Sequence, residues 1–227
     1  MNNGERELEV KFYLANPPVV LKQKLENLGA QLIQPREYEV NYRFDTPEGT
    51  LKTAHRVLRL RQPVPAVMRS RAGMVIGENA AVLTYKGPAD LGEGIADRQE
   101  IEVIVQELDQ ARGILEALGY RVSVMYEKYR TVYLLDGIEV TLDELPFGYF
   151  TEIEGGSALE IAGLAAKLGL HWEARIVDSY NTLFDRFCAR RQLELAHLSF
   201  EEFSGLRVTS ADLDLLPGDE PGEGGKP

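Results

Sequence analysis

Glu5-Arg6-Glu7-Leu8-Glu9-Val10-Lys11-Phe12-Tyr13-Leu14 alternates charged and apolar side chains over most of its length. In an extended chain, residues two apart point to the same side. Glu5, Glu7, Glu9 and Lys11 therefore share one face, and Leu8, Val10 and Phe12 share the other. The pattern recurs along the chain. Arg59 and Arg61 oppose Leu58 and Leu60, and Thr84 and Lys86 oppose Leu83 and Tyr85. Arg98, Glu100 and Glu102 oppose Ile101 and Val103, and Lys128 and Arg130 oppose Tyr129 and Thr131. Glu139, Thr141 and Asp143 oppose Ile138, Val140 and Leu142, while Glu152 and Glu154 flank Ile153.

One such strand is ordinarily half of a solvated sheet, with cross-strand ion pairs on its wet face. The whole set argues otherwise, because solvated faces mix Thr, Ser, Asn and Gln freely, and here the charges come in pairs of one sign. Amphipathic segments at 16–28, 106–118, 157–168 and 178–198 have apolar faces to bury. The first has Asn16 and Pro17 at its start, and the first three stop at Gly29, Gly119 and Gly169. Those helices would cover the apolar sheet face from outside, leaving the charged face to curl inward. About eight strands closed in this way enclose room for one small ligand. The expected strands are 5–14, 40–45, 57–62, 81–86, 96–105, 120–135 (long enough for two), 138–142 and 151–154, with a turn at Asp136-Gly137. The fold class expected is α+β: an eight-stranded antiparallel β-barrel forming a tunnel, with helices packed outside. Glu7-Leu-Glu9 before Leu28-Gly29 is echoed by Glu100-Ile-Glu102 before Leu118-Gly119, which suggests two similar halves.

Buried charges need partners. A ring of bases suits phosphoryl oxygens, arginine bidentately. Clustered carboxylates cannot bind phosphate but suit a hard cation such as Mg²⁺ or Mn²⁺. The two together specify a polyphosphate–metal complex.

The remaining features set bounds. The 227 residues suffice for one domain, with 44% hydrophobic and 27% charged residues as in ordinary globular chains. No stretch approaches the ~20 apolar residues of a membrane helix. A net charge of −11 argues against nucleic acid. The single cysteine, Cys188, excludes an intrachain disulfide and fits a cytoplasmic protein. Cys188 reads as core, His55 as a loop residue, Gly87 as a strand-end turn, and Arg186, Arg190 and Arg191 as a solvated helix face. Residues 1–200 form the expected domain. Residues 201–227, rich in Gly, Pro and acids, are expected to be a disordered tail dispensable from about Leu206. Residues 63–79 read as a long hairpin excursion.

The ordered motifs also resemble a known family. Glu7-Leu-Glu9-Val-Lys11, Phe44-Asp45-Thr46-Pro47, Leu58-Arg59-Leu60-Arg61 and Leu83-Thr84-Tyr85-Lys86-Gly87 occur in succession. Arg98-Gln-Glu100-Ile-Glu102, Lys128-Tyr-Arg130, Asp143, Glu152-Ile-Glu154 and Ser179-Tyr180 follow. The set, over about residues 5–190, resembles the CYTH family, the triphosphate tunnel metalloenzymes. That family includes inorganic triphosphatases, thiamine triphosphatases and class IV adenylyl cyclases. The resemblance implies that Glu7, Glu9, Asp143, Glu152 and Glu154 ligate Mg²⁺ or Mn²⁺. It implies that Arg59, Arg61, Lys86, Arg98, Lys128 and Arg130 hold the triphosphate, and that Lys11, with Glu9, acts in catalysis by assisting water activation. Many members have Tyr-Phe-Asp-Thr where this chain has Arg43-Phe44-Asp45-Thr46, so Tyr42 is the candidate to replace that tyrosine.

Metal-dependent hydrolysis of a small triphosphate (tripolyphosphate, thiamine triphosphate or a nucleoside triphosphate) is the favoured activity, since no nucleobase site is identifiable. The alternatives are a class IV adenylyl cyclase and a non-catalytic polyphosphate- or nucleotide-binding module. The partners expected are the small triphosphate and at most a second copy in a homodimer, with no nucleic acid and no membrane.

Overall fold

The computed structural model describes residues 5–65, 68–69 and 75–220. Its strands are β1 (Glu5–Leu14), β2 (Gln31–Asp45), β3 (Val57–Gln62), β4 (Ala81–Lys86), β5 (Ala96–Val105), β6 (Arg121–Leu135), β7 (Ile138–Leu145), β8 (Gly148–Gly155) and β9 (Arg175–Ile176). Its helices are α1 (Val19–Asn27), α2 (Thr50–Thr53), α3 (Leu108–Ala117), α4 (Ala158–Leu168), α5 (Tyr180–Arg191) and α6 (Ser210–Leu213).

The sheet runs β5-β4-β3-β2-β6-β7-β8-β1, and β1 pairs back onto β5, so eight antiparallel strands close into a ring. The short β9 adds to β1 at Lys11 and Phe12, beyond the stretch that β5 covers. The repeat in the sequence has a structural counterpart. Each half runs strand, helix, three strands, and the halves meet through antiparallel pairs β1–β5 and β2–β6. Gly29 and Gly119, which end the corresponding helices, have φ of +82° and +94°. That left-handed backbone costs other residues more than glycine.

The apolar sheet face lies outside, as the alternation predicts. Val10, Phe12, Leu14, Val140, Leu142 and Ile153 pack against Leu21 and Leu25 of α1 and Ile161, Leu164 and Leu168 of α4. A second cluster packs Val124, Phe147 and Phe150 against Leu183, Phe184 and Phe187 of α5, with Cys188 at its edge. A third sets Leu115 of α3 on Phe44, Leu60 and Ala81. Each such side chain contributes about 1.5–3 kcal/mol on burial.

Several expectations need correction. The first helix starts at Val19 rather than 16, and Asn16 bonds Glu220 instead of capping it. Leu118, expected inward, is exposed at the end of α3. Residues 121–135, long enough for two strands, form a single one, and β2 begins nine residues earlier than 40. The fourth helix stops at Arg191 rather than 198.

The largest correction concerns the tail. Residues 201–220 are packed, with Phe203 and Leu213 buried beside α5. Backbone bonds between Gly218 and Tyr13, and between His171 and Gly218, tie this segment to the barrel. Arg186, Arg190 and Arg191 hold it through the carbonyls of Leu213, Ala211 and Arg207, while Arg190 and Arg191 remain exposed, as expected of a solvated helix face. A few large apolar residues and backbone hydrogen bonds suffice to dock a polar segment. Residues 221–227, and 66–67 and 70–74 of the excursion, lie outside the described residues.

Candidate active site

The ring encloses a cavity of about 850 Å³. Lys11, Glu9, Arg59, Arg61, Lys86, Arg98, Lys128, Arg130, Glu152 and Glu154 all line it. The structure thus brings together ten of the twelve positions expected from sequence, counting Glu9 once. Glu7 stands opposite Arg98 in the β1–β5 register, and its side chain lies outside what is described. Asp143 is not brought to the cavity surface.

Strand register explains who meets whom. Lys11 lies across from Glu152, and its Nζ is 3.0 Å from that carboxylate. Arg130 lies across from Asp143 and donates to it through Nε at 2.7 Å and Nη2 at 2.5 Å, and also to Glu152. Lys128 and the Tyr180 hydroxyl donate to the same Asp143 at 3.1 and 2.9 Å. Asp143 is fully buried, with both oxygens engaged by donors. It anchors Arg130 and Lys128 from behind, which corrects its expected placement as a metal ligand facing the cavity. On the other side, Lys86 pairs with Glu100 at 2.9 Å. Arg61 and Arg59 share Glu102 at 3.4 and 3.6 Å, and Arg98 pairs with Glu9.

These contacts set the ionisation states. Burial pushes the Glu152 carboxyl up, but Lys11, Arg130 and Lys128 outweigh it and hold it well below the usual range. Asp143, Glu102 and Glu39 are likewise lowered by their basic neighbours against the opposing effect of burial. Burial alone would lower Lys11, yet Glu152 and Glu9 raise it above its usual value. Lys11 is therefore an ammonium, suited to contacting an anion rather than to taking a proton. Two cavity phenols diverge. Burial raises Tyr180, and Asp143 and Glu152 add to it. Tyr126 is raised by burial but lowered overall by Arg59, Lys128 and Arg43.

Sequence reading missed Arg43, Glu39 and Tyr126 as cavity residues, and placed Glu139 on the inward face without giving it a role. Glu39 and Arg43 share the inward parity of β2, but the strand was expected to begin at 40, which left out Glu39, and Arg43 has no like charge two residues away on either side. Pro35 lies at register shifts between Gln34 and Glu37, and a proline in a strand reads as a break. Tyr42 points outward into the third cluster, which removes it as a replacement for a cavity tyrosine.

A hard divalent cation needs several oxygen ligands. Glu139, Glu154 and Glu9 stand directly opposite one another across β7, β8 and β1, with Glu152 two residues away on β8. Like charges in register repel, and a cation would relieve that. The donor chemistry fits Mg²⁺ or Mn²⁺, although among the described residues no three such side chains already converge to ligating distance.

An antiparallel ring around a cavity lined by bases and carboxylates, most of them in ion pairs, is the tunnel fold that the alternation of charge predicts. The CYTH domain family model matches residues 5–176, and the chain belongs to the CYTH family. It is 28% identical over 193 residues to adenylate cyclase CyaB of Aeromonas hydrophila, covering 81% of this chain and 91% of that one. The PH1012 protein of Pyrococcus horikoshii superposes with a TM-score of 0.61 at 25% identity, covering 77% of this chain and 96% of that one. HpAC1 from Hippeastrum, whose structure is described as revealing a dominant triphosphatase activity, superposes with a TM-score of 0.55 at 19% identity, covering 83% and 97%. No helix among the described residues is long and apolar enough to cross a membrane.

Proposed function

We propose that the protein is a divalent-metal-dependent hydrolase of small triphosphates. One observation carries this reading: a wall of bases (Arg59, Arg61, Lys86) faces a wall of carboxylates (Glu9, Glu139, Glu154) across one cavity. The bases would grip the phosphoryl oxygens, arginine at two points where geometry allows. Glu9, Glu152 and Glu154, with Glu139, would hold Mg²⁺ or Mn²⁺. The metal, when bound, neutralises phosphate charge and orients an in-line displacement. Lys11 and Arg130 would shield the charge that develops on the transferred group. Water's oxygen bonds to the terminal phosphorus, the bridging P–O bond breaks, and the products are orthophosphate and a diphosphate.

A second reading is cyclisation of ATP to cyclic AMP and diphosphate, in which the ribose 3′-hydroxyl attacks the α-phosphorus. It is supported by the similarity to adenylate cyclase CyaB. The same clamp serves both reactions. Product analysis with tripolyphosphate, thiamine triphosphate and ATP in parallel, with Mg²⁺, with Mn²⁺ and with excess chelator, separates them. Orthophosphate release dependent on metal is expected. Cyclic AMP as the dominant ATP product would replace hydrolysis with the second reading, and full turnover in chelator would remove the metal from it.

A further inference from the structure

Arg43 differs from the other cations of the cavity. Each of those has a carboxylate within ion-pair distance: Lys11 and Arg130 have Glu152, Arg59 and Arg61 have Glu102, Lys86 has Glu100, Arg98 has Glu9, and Lys128 has Asp143. Among the described residues Arg43 has none. Its partner is the neutral side chain of Asn181, at the start of α5. With its amide oxygen turned toward the guanidinium, Asn181 accepts from Nη1 at 3.0 Å and Nε at 3.2 Å. A guanidinium carries five N–H donors, so two contacts do not exhaust it.

Its surroundings add to the positive charge. Arg43 and Arg59 are directly opposite one another in the β2–β3 register. Like charges so placed repel. Burial lowers the tendency of Arg43 to hold its proton, and Arg59 and Arg98 lower it further, with Tyr126 and Asp185 opposing. Beside it, Nε of Arg59 and Nε of Arg61 are buried without a hydrogen-bond partner. No ion pair among the described residues accounts for a cation kept in this position. An anion between Arg43 and Arg59 would satisfy the donors of both and cancel their repulsion.

We propose that Arg43 is a specificity-determining residue: together with Arg59 it holds the last phosphoryl group of the chain at the α5 end of the tunnel, a contact that a diphosphate seated on the other bases would not make. The inference rests on the triphosphate reading above and deepens it. The clamp would then measure chain length, favouring anions of three or more phosphoryl groups. Asn181 would orient the guanidinium without neutralising it, leaving its charge for the ligand.

The test is equilibrium titration of sodium tripolyphosphate and sodium pyrophosphate in chelator, where turnover does not intrude. Wild type, Arg43→Gln, Arg43→Lys and Arg59→Ala are compared, with circular dichroism as a check on folding. Arg43→Gln is expected to weaken tripolyphosphate by about tenfold to a hundredfold and pyrophosphate by less than about threefold. Arg43→Lys is expected to fall between, since an ammonium restores charge but not the planar fork. A merely structural Arg43 would weaken both anions equally; that result, or no change in either, overturns the proposal. If Arg59→Ala weakens both anions while Arg43→Gln leaves both alone, the triphosphate reading stands and the role of Arg43 falls. If wild type binds neither anion in chelator and neither shifts its melting temperature with Mg²⁺ present, both fall together.

Discussion

The two walls of the tunnel are satisfied in different ways. On the β7–β8–β1 side the carboxylates draw cations to themselves. Glu152 takes Lys11 and Arg130, and Glu9 takes Arg98. Behind them Asp143 gathers Arg130, Lys128 and Tyr180. On the β2–β3–β4 side the guanidinium groups outnumber their acids. Arg59 and Arg61 share the single carboxylate of Glu102, and each leaves a buried Nε without a partner. A buried donor without an acceptor costs about 1–3 kcal/mol. Glu152, Glu9 and Asp143 are thus compensated by bases, whereas the basic wall keeps unspent donors, and an anion is the ligand that would use them.

Acidification should produce the largest effect, because it discharges many carboxylates at once. Glu152, Asp143, Glu102 and Glu39 have depressed folded-state values, so each stabilises the fold when ionised. That contribution is complete above the unfolded-state values near 4.5 and 3.8 and is lost as pH falls through the lower folded values. Lys11 has the opposite sign: its contribution is present below 10.5 and lost as pH rises through its raised folded value. Denaturation midpoints measured across pH should therefore hold steady from about pH 5 to 9 and drop steeply below about pH 4. Unchanged stability at pH 3 would mean that the wall carboxylates are not held by their bases.

Removing one anchor should come next. Asp143→Ala leaves Arg130 and Lys128 buried beside an empty position, and breaking such a cluster costs about 3–5 kcal/mol. Urea denaturation would read this directly. A loss below about 1 kcal/mol would mean that Glu152 and Glu39 suffice to hold both cations.

What the sequence disclosed follows the same division. Charge at i and i+2 on strand after strand was enough to place the inward faces, since a strand's parity is fixed by the pleat. It placed Arg59, Arg61 and Lys86 in the cavity together with Glu9, Glu152 and Glu154. Depth along the strand is not encoded in parity. Asp143 has the same parity as Glu139, yet one is sealed behind Arg130 and the other lines the cavity. Glu39 was hidden because Pro35 and the adjoining bulges interrupt the alternation of β2, and Arg43 because it has no like charge at i−2 or i+2, only Asn41 and Asp45. The docking of residues 201–220 was illegible for another reason. It depends on backbone partners supplied by Tyr13 and His171 and on arginines of α5, none of which leaves a local pattern in that segment.

The basic wall should respond differently from the acidic wall to truncation. Arg59→Ala deletes a base that is raised in pKa, with burial opposing and Tyr126 and Glu102 supporting it, but that is only partly satisfied. Folding stability should change by less than after Asp143→Ala. Tripolyphosphate affinity should fall about tenfold to a hundredfold, or roughly 1.5–3 kcal/mol, for the lost charge-assisted contact. Arg59→Lys should recover part of it. Calorimetric titration alongside denaturation separates the two effects. Equal affinity for wild type and Arg59→Ala would put the anion elsewhere in the tunnel.

The smallest effect tests the acidic row itself. Glu154 lies between Glu9 and Glu139 in register, and like charges directly opposite on adjacent strands are unfavourable by about 0.2–1 kcal/mol. Replacing it with glutamine keeps the shape and removes the charge. Without metal, Glu154→Gln should therefore leave stability unchanged or raise it by a few tenths of a kcal/mol, unlike the ordinary destabilising substitution. With metal the sign should reverse. A ligand that binds only the folded state stabilises it by an amount set by concentration over Kd. The Mg²⁺- or Mn²⁺-induced rise in melting temperature should thus be smaller in the variant than in wild type. The two measurements constrain each other. A variant that is less stable without metal but shows the full metal shift would place the cation away from Glu154, and the row across β7, β8 and β1 would then be held by its own bases alone.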